Sequence, residues 1–439
     1  MSNRKVFITF LGTGKYTTCN YTLEGKGKVD EVEFIQEAMA RMVCKDFGPD
    51  DRFCVFLTNA AREKHWPKLE KRLADCGLRT KIKPVSIPDG GSEEELWHIF
   101  STVVDQFEQG DRVIFDITHG FRSLPMLGMV LLPYARLLKD IEVEGIYYGA
   151  FEARNGDNAP VFDLTSFIDL LDWTAAVQEF VRHGSPAGIA ELLKGEAGPR
   201  LGASRGNDPA ARTWRDLGGC LDRIAGQIAT CRGEEIVAAR SFGHLKQRVA
   251  ECSGIDVPPP FRPLLKHIDA KASTFAPEQA RNCLEVVRWC LEHGLVQQGI
   301  TMLQEGIVTI LANRFDLDWG REEDRGLVSG AINVLGRKIS REKWSSTLQE
   351  RPELVEPIHA DSLVVELAPV FDRLGQARND INHGGFLQER GNEALGAPVL
   401  AERLECCFRE VEKILGNVAG VSEVPAETGG FAGTGSLRH

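Results

Sequence analysis

In the first 165 residues, five short runs rich in β-branched and aromatic side chains, at 5–11, 52–57, 81–86, 112–116 and 143–148, are separated by longer stretches of helical spacing. The intervening stretches, 31–47, 61–76, 92–109 and 124–138, are each long enough for a crossover helix. A strand that must return parallel to its neighbour needs such a crossover, whereas a hairpin needs only a few residues. The pattern therefore predicts an α/β, Rossmann-like unit with a parallel sheet and helices on both faces. Ligands of such sheets bind beyond the carboxyl ends of the strands. The loops starting at Gly12, Thr58, Thr118 and Gly149 are thus expected to line one site.

From Thr165 onward the strand signals nearly vanish. A helix over 166–182 is predicted to leave the first domain, followed by a middle segment, 184–275, punctuated by Gly, Ala and Pro. Within it, 198–209 reads as a loop and Pro258-Pro259-Pro260 as an extended connector. Further helices are predicted at 278–293, 295–315, 326–339, 362–383 and 397–415, and the Gly-, Thr- and Ser-rich stretch 419–439 reads as a flexible tail. The expected domains are 1–182, a helical insert at 183–275, an all-α domain at 276–418, and that tail.

Composition narrows the function classes. Eleven cysteines, none in a C-x-x-C pair, fit a reducing compartment, and the adjacent Cys406 and Cys407 fit core packing better than a metal site. The apolar run at 6–11 is short for a signal-peptide core, and 124–138 is short of the roughly 20 residues of a membrane span. A cytoplasmic chain without membrane contact is expected. The net charge of −11 speaks against broad binding of duplex DNA, since that affinity comes from many Lys and Arg contacts to phosphate. Any nucleic acid is expected in locally basic clefts.

Two N-terminal features carry chemistry. The loop Gly12-Thr13-Gly14-Lys15-Tyr16 follows the first strand, and its glycines allow backbone N–H groups close to a phosphate or base. A dinucleotide fingerprint is incomplete here, because Thr17 stands where the third glycine belongs. The stronger signal is Asp116-Ile117-Thr118-His119-Gly120-Phe121-Arg122-Ser123, between a strand and a helix. Asp-x-Thr-His-Gly arises by chance in about a few chains per thousand of this length. A helix N-terminus there offers free N–H groups to an anion, and Thr118, Arg122 and Ser123 add donors. The plainer alternative is a capping turn in which Asp116 and Thr118 tie down backbone amides.

These residues, with Tyr148-Gly149, resemble the DxTHG family of CRISPR-associated proteins over roughly residues 5–180. The resemblance implies a CARF domain, a Rossmann-like sensor that dimerises and binds the cyclic oligoadenylate of type III CRISPR systems. It implies ligand contacts at Thr13, Gly14, Lys15, Thr58, Asn59, Thr118, His119, Gly120, Arg122, Ser123 and Gly149. Cyclic tetra-adenylate is the expected activator, although the motif itself does not fix the ring size.

In the C-terminal half, Arg378-Asn379-Asp380-Ile381-Asn382-His383 closes a predicted helix. Residues four apart share a helical face, so Arg378 lies over Asn382 and Asn379 over His383. RNA cleavage through the ribose 2′-OH needs a proton acceptor near neutral pH and a cation for the developing charge, roles that His and Arg suit. The R-x4-H spacing recurs at Arg262/His267 and Arg288/His293, but only Arg378 is followed by Asn. The full pattern resembles the R-N-x3-H motif of HEPN ribonucleases, and Arg288 to Glu305 resembles an earlier helical segment of CARF-HEPN proteins, a resemblance over roughly 275–418. That resemblance implies metal-independent cleavage of single-stranded RNA in a homodimer or higher oligomer, with Arg378, Asn379 and His383 catalytic and Asn382 a lesser candidate. The competing plain reading is a helix end where Arg and His serve the terminal carbonyls before Gly384-Gly385. Two alternative functions stand beside the nuclease: a ligand sensor or regulator that cleaves nothing, and a ring nuclease that degrades its own activator.

Overall fold

The computed structural model describes residues 4–119, 124–259, 261–386 and 394–417, with side chains from residue 128 onward in the helix that starts at Leu124. The chain divides into two compact units, 1–172 and 173–439.

The first unit is built on β1 (Lys5–Leu11), β2 (Cys19–Leu23), β3 (Gly27–Val32), β4 (Arg52–Leu57), β5 (Lys81–Ser86), β6 (Arg112–Asp116), β7 (Glu142–Gly149) and β8 (Asn158–Asp163). They form one sheet of order β3-β2-β8-β7-β6-β1-β4-β5. The stretch β7-β6-β1-β4-β5 is parallel throughout, as the crossover lengths predict. Its helices are α1 (Ile35–Met42), α2 (Asn59–Lys64), α3 (Trp66–Ala74), α4 (Glu93–Val104) and α5 (Leu124–Lys139). The central strands β1, β4 and β6 are largely apolar on both faces because both are covered. Phe7, Leu11, Phe53, Val55 and Leu57 pack with α1 and α3 on one face. Val6, Ile8, Phe10, Cys54 and Phe56 alternate with them and pack with α4 and α5 on the other.

Three strands depart from the expected pattern. β2 and β3 form an antiparallel hairpin that takes up the start of the expected 31–47 helix, so α1 begins only at Ile35. β8 pairs antiparallel with β7 and parallel with β2, joining that hairpin to the sheet. All three strands carry polar outer residues and β8 contains Pro160, so neither run shows the apolar density of a central strand. The expected helix over 61–76 is two helices, broken at His65. This break matters for the site below.

α6 (Ser166–His183) bridges the division between the units. The second unit continues through α7 (Ala187–Ala203), α8 (Pro209–Ala229), α9 (Gly233–Ala238), α10 (Arg240–Cys252), α11 (Arg262–Ser273), α12 (Asn282–Glu292), α13 (Val296–Arg314), α14 (Glu322–Gly336), α15 (Ser346–Gln349), α16 (Pro352–Ala360), α17 (Ser362–Asn382) and α18 (Ala397–Gly416). The loop expected at 198–209 shrinks to a short connection, because α7 runs through Pro199 to Ala203 and Asp208 caps α8 by accepting from the Ala211 N–H. Helices of the middle segment and those after it share one hydrophobic core, from Ile189 and Trp214 to Leu374 and Val411. All eleven cysteines are free. Cys407 is buried as expected, whereas Cys406 is exposed, since neighbours on a helix point about 100° apart. Among the described residues no helix is long and apolar enough to cross a membrane.

The helical core is tight where α14 meets α17. A Cβ on Gly336 would lie 2.6 Å from the Ala368 carbonyl oxygen, a backbone atom with little room to yield. Gly336→Ala is therefore expected to lower the unfolding free energy by about 1–3 kcal/mol, measured by urea denaturation followed by circular dichroism.

Candidate functional site

The carboxyl ends of β1, β4, β6 and β7 converge, and polar side chains knit their loops together. At the centre lies Asp116, fully buried at the end of β6. Its Oδ2 accepts from the Thr9 hydroxyl at 2.6 Å, and its Oδ1 accepts from the Thr118 N–H at 3.0 Å and hydroxyl at 2.5 Å. The Thr118 Oγ1 in turn accepts from the Gly149 N–H at 2.7 Å. Burial raises the Asp116 pKa, against the pull of these hydrogen bonds. Both Asp116 and the Thr118 hydroxyl are thus engaged within the protein, in the local ties that a capping turn would make. A Cβ on Gly149 would lie 2.7 Å from Ile35 Cδ1, so a larger residue there requires the Ile35 side chain to shift.

The β1 loop is held from several sides. The Tyr16 hydroxyl accepts from the Gly12 N–H at 3.0 Å and closes the turn on itself. Lys64 Nζ donates to the Thr13 carbonyl at 2.7 Å, and His65 Nε2 lies 2.8 Å from the Gly14 carbonyl oxygen. The Tyr16 ring packs edge-on against both His65 and His119, each 4.8 Å between centroids. The break between α2 and α3 is what aims His65 back at this loop. Thr58 is buried and caps α2 by accepting from the Ala61 N–H, while Asn59, Thr13, Gly14 and Lys15 are exposed at the rim. Gly120, Arg122 and Ser123 lie outside the described residues.

His119 stands out chemically. Its Nε2 is buried with no hydrogen-bond partner among the described residues, and so is the Oε1 of Gln36, whose Nε2 donates to the Phe10 carbonyl at 2.7 Å. An orphaned buried polar atom is costly unless something else satisfies it, which makes this end of the sheet a candidate site for a polar ligand. Tyr16, Lys64, His65 and Gln36 escaped the sequence reading. The position of Lys64 and His65, one turn or two past the end of a sheet strand, was the available signal.

The second constellation closes α17. Arg378 Nη1 donates to Glu305 Oε1 at 2.8 Å and to Gln304 Oε1 at 3.3 Å, both on α13. Glu305 Oε2 also accepts from Arg325 Nη2 at 2.6 Å. Burial pushes the Glu305 pKa up, but the two guanidinium groups outweigh it and the net shift is downward. Asn379, Asn382 and His383 are exposed at the helix end, with the His383 N–H donating to the Asn379 carbonyl. Asp380 is buried and accepts from the Leu395 N–H at 2.7 Å. The Cys231 thiol, between α8 and α9, is raised by burial and feels the opposing charges of Arg378 and Arg232, so the middle segment borders this site. The R-x4-H pair at Arg288 and His293 differs from it. Arg288 is paired with Glu412, and His293 packs against Trp289, half-buried rather than facing solvent, with Nδ1 unpartnered among the described residues.

Comparison with known proteins bears on the first unit. Residues 6–152 match the family described as CRISPR system endoribonuclease Csx1, CARF domain. Over 248 residues the chain is 32% identical to CRISPR-associated protein MJ1674 of Methanocaldococcus jannaschii, covering 44% of this chain. The chain spans 38% of the length of that relative. It thus contains a CARF domain and is similar to a CRISPR-associated protein.

The His119 pKa is lowered from 6.5 to about 4, by burial first and by the neighbouring His65 second. Between those values the unfolded chain binds the proton and the folded one does not. Stability from this group is fully present above pH 6.5 and is lost as the pH falls toward 4, by at most about 3 kcal/mol. Replacing His119 with Gln is expected to flatten that part of the stability profile, read from chemical denaturation at pH 7, 6, 5 and 4.

Proposed function

We propose that the chain is an endoribonuclease switched on by a cyclic oligoadenylate in type III CRISPR defence. The observation that carries this reading is the pairing of a CARF-type pocket, with its His119 Nε2 unsatisfied among the described residues, with an exposed His383 five residues after Arg378 on the same helix end. The name of the matched family also speaks of an endoribonuclease. On this reading the ring phosphates meet the amides of the β1 loop, Lys15 and the start of α5, and an adenine edge meets His119. Thr13, Gly14, Asn59, Gly120, Arg122 and Ser123 complete the rim, with Thr118 and Gly149 shaping its floor. Cyclic tetra-adenylate is the first ring to test.

The chemistry proposed for the second unit uses the 2′-OH of single-stranded RNA as nucleophile. The 2′-oxygen bonds to phosphorus as the P–O5′ bond breaks, giving a 2′,3′-cyclic phosphate and a free 5′-hydroxyl: His383 takes the 2′-OH proton and a proton is returned to the leaving 5′-oxygen, Arg378 stabilises the charge on the phosphate, and Asn379 orients the pair, with Asn382 in a lesser role. No cofactor or metal enters these steps. Two such sets would face each other in a homodimer, making assembly part of catalysis. An apolar surface on the first unit supports self-association. On α4 and α5, Trp97, Val130, Leu137 and Leu138 are more than half exposed, and the Trp97, Phe100 and Tyr134 rings pack in series, 5.7 and 5.3 Å apart. Soluble monomers rarely leave such a contiguous patch to water.

The test is a fluorescent RNA assay without added metal, against cyclic tri-, tetra- and hexa-adenylate. One of the rings is expected to accelerate cleavage, and His383→Ala to reduce the rate at least about a hundredfold while ligand affinity stays the same. Undiminished cutting by that variant would remove His383 from the site. Replacing both Leu137 and Leu138 with Glu is expected to turn a dimer into a monomer in analytical ultracentrifugation, with loss of cleavage. A dimer that survives this change would locate the interface elsewhere.

A further inference from the structure

The proposed chemistry gives Arg378 a task without saying what aims it. A free arginine side chain samples many rotamers, and fixing one costs conformational entropy that binding must then overcome. In this chain the cost is met within the fold. Both hydrogen bonds from Arg378 run through Nη1, to Glu305 and Gln304 of α13, and its side chain keeps 35% of its surface exposed. The opposite edge of the guanidinium, Nε and Nη2, carries neither bond. That edge presents two parallel N–H donors in the geometry that matches a phosphate.

Glu305 is itself held. Its Oε2 accepts from Arg325, and Arg325 is anchored by further bonds to the Thr309 hydroxyl at 2.9 Å, the Trp319 carbonyl at 2.9 Å and the Glu305 carbonyl at 3.3 Å. The cluster counts two cations against one carboxylate. A lone Glu–Arg pair would present no net charge to RNA, whereas Arg325–Glu305–Arg378 presents one positive charge on a rigid mount. Arg325 lies on α14, Glu305 on α13 and Arg378 on α17, so three helices fix one guanidinium.

We infer that Glu305 is a positioning residue that orients Arg378 toward the scissile phosphate, with Arg325 offsetting the charge of the carboxylate. The inference rests on the nuclease reading above and adds to it a residue outside the R-N-x3-H run. It also excludes the opposite role for Glu305, a carboxylate that sequesters Arg378 and holds the site off.

The experiment is single-turnover RNA cleavage by the full chain with its activating ring, comparing wild type, Glu305→Gln, Glu305→Asp, Arg378→Ala, the Glu305→Gln/Arg378→Ala double variant and His383→Ala. Thermal unfolding is measured on each. Glu305→Gln is expected to lower the maximal rate about tenfold or more while half-saturation in RNA moves less than about threefold. Glu305→Asp, which keeps the charge and shortens the reach, is expected to fall between. In the Arg378→Ala background the Glu305→Gln change is expected to cost nothing further, because it acts through Arg378. A general structural role would instead add its full loss in that background. If Glu305→Gln cleaves as fast as wild type or faster, or its loss adds to that of Arg378→Ala, the positioning role is overturned. Should Glu305→Gln fail to fold, wild-type cleavage by Glu305→Asp overturns it equally. If wild type cuts no RNA, or His383→Ala cuts as wild type does, the nuclease reading itself falls and takes this inference with it.

Discussion

The first unit depends on one buried carboxylate. Asp116 has no contact with solvent, and its two oxygens bind the Thr9 hydroxyl on β1 and both donors of Thr118. Through Thr118 the link reaches the Gly149 N–H at the end of β7. Three strands that lie side by side in the sheet are thus tied at their carboxyl ends, where a parallel sheet otherwise leaves loops with no ladder to hold them. A buried carboxylate is tolerable only when its oxygens are satisfied, and here the partners come from β1 and from the loop after β6. Binding surface and structural hub are therefore inseparable in this domain.

That arrangement gives His119 its character. It follows Thr118 by one residue, so the tie from Asp116 to Thr118 fixes where its ring begins, and the Tyr16 ring closes over it. Enclosure keeps the imidazole neutral at physiological pH, with one nitrogen unpartnered among the described residues. The same enclosure keeps the β1 loop in place, since Tyr16, Lys64 and His65 all bond to its backbone. A flexible glycine loop would lose much of its binding energy in ordering. Here the ordering is done by folding.

The helical unit follows a comparable logic with ions in place of a single acid. Removing Glu305 would leave two partly buried guanidinium groups without their shared counter-charge, which is why such clusters hold their geometry firmly even when they add little net stability. The middle segment belongs to the same core and reaches the edge of this cluster at Cys231.

Much of this was legible in the residues. The five central strands, the crossover helices and the convergence of the loops after β1, β4, β6 and β7 follow from hydrophobic period and length, which are local properties. Asp116, Thr118 and His119 announce themselves by adjacency, and Arg378 to His383 by helical spacing. The hairpin of β2 and β3 and the strand β8 were not legible, because β2 and β8 hold each other across the chain, Asn20 beside Asn158, rather than by their own composition. Nor could any pattern join Glu305 to Arg378, 73 residues apart, or Lys64 to Thr13, 51 apart. The sequence by itself determined the five central strands, most of the helices and which loops carry reactive side chains, since those depend on neighbours along the chain. Only the tertiary structure decided which side chains are spent on holding the site and which remain available, because that depends on burial and on partners that folding alone brings within hydrogen-bond distance.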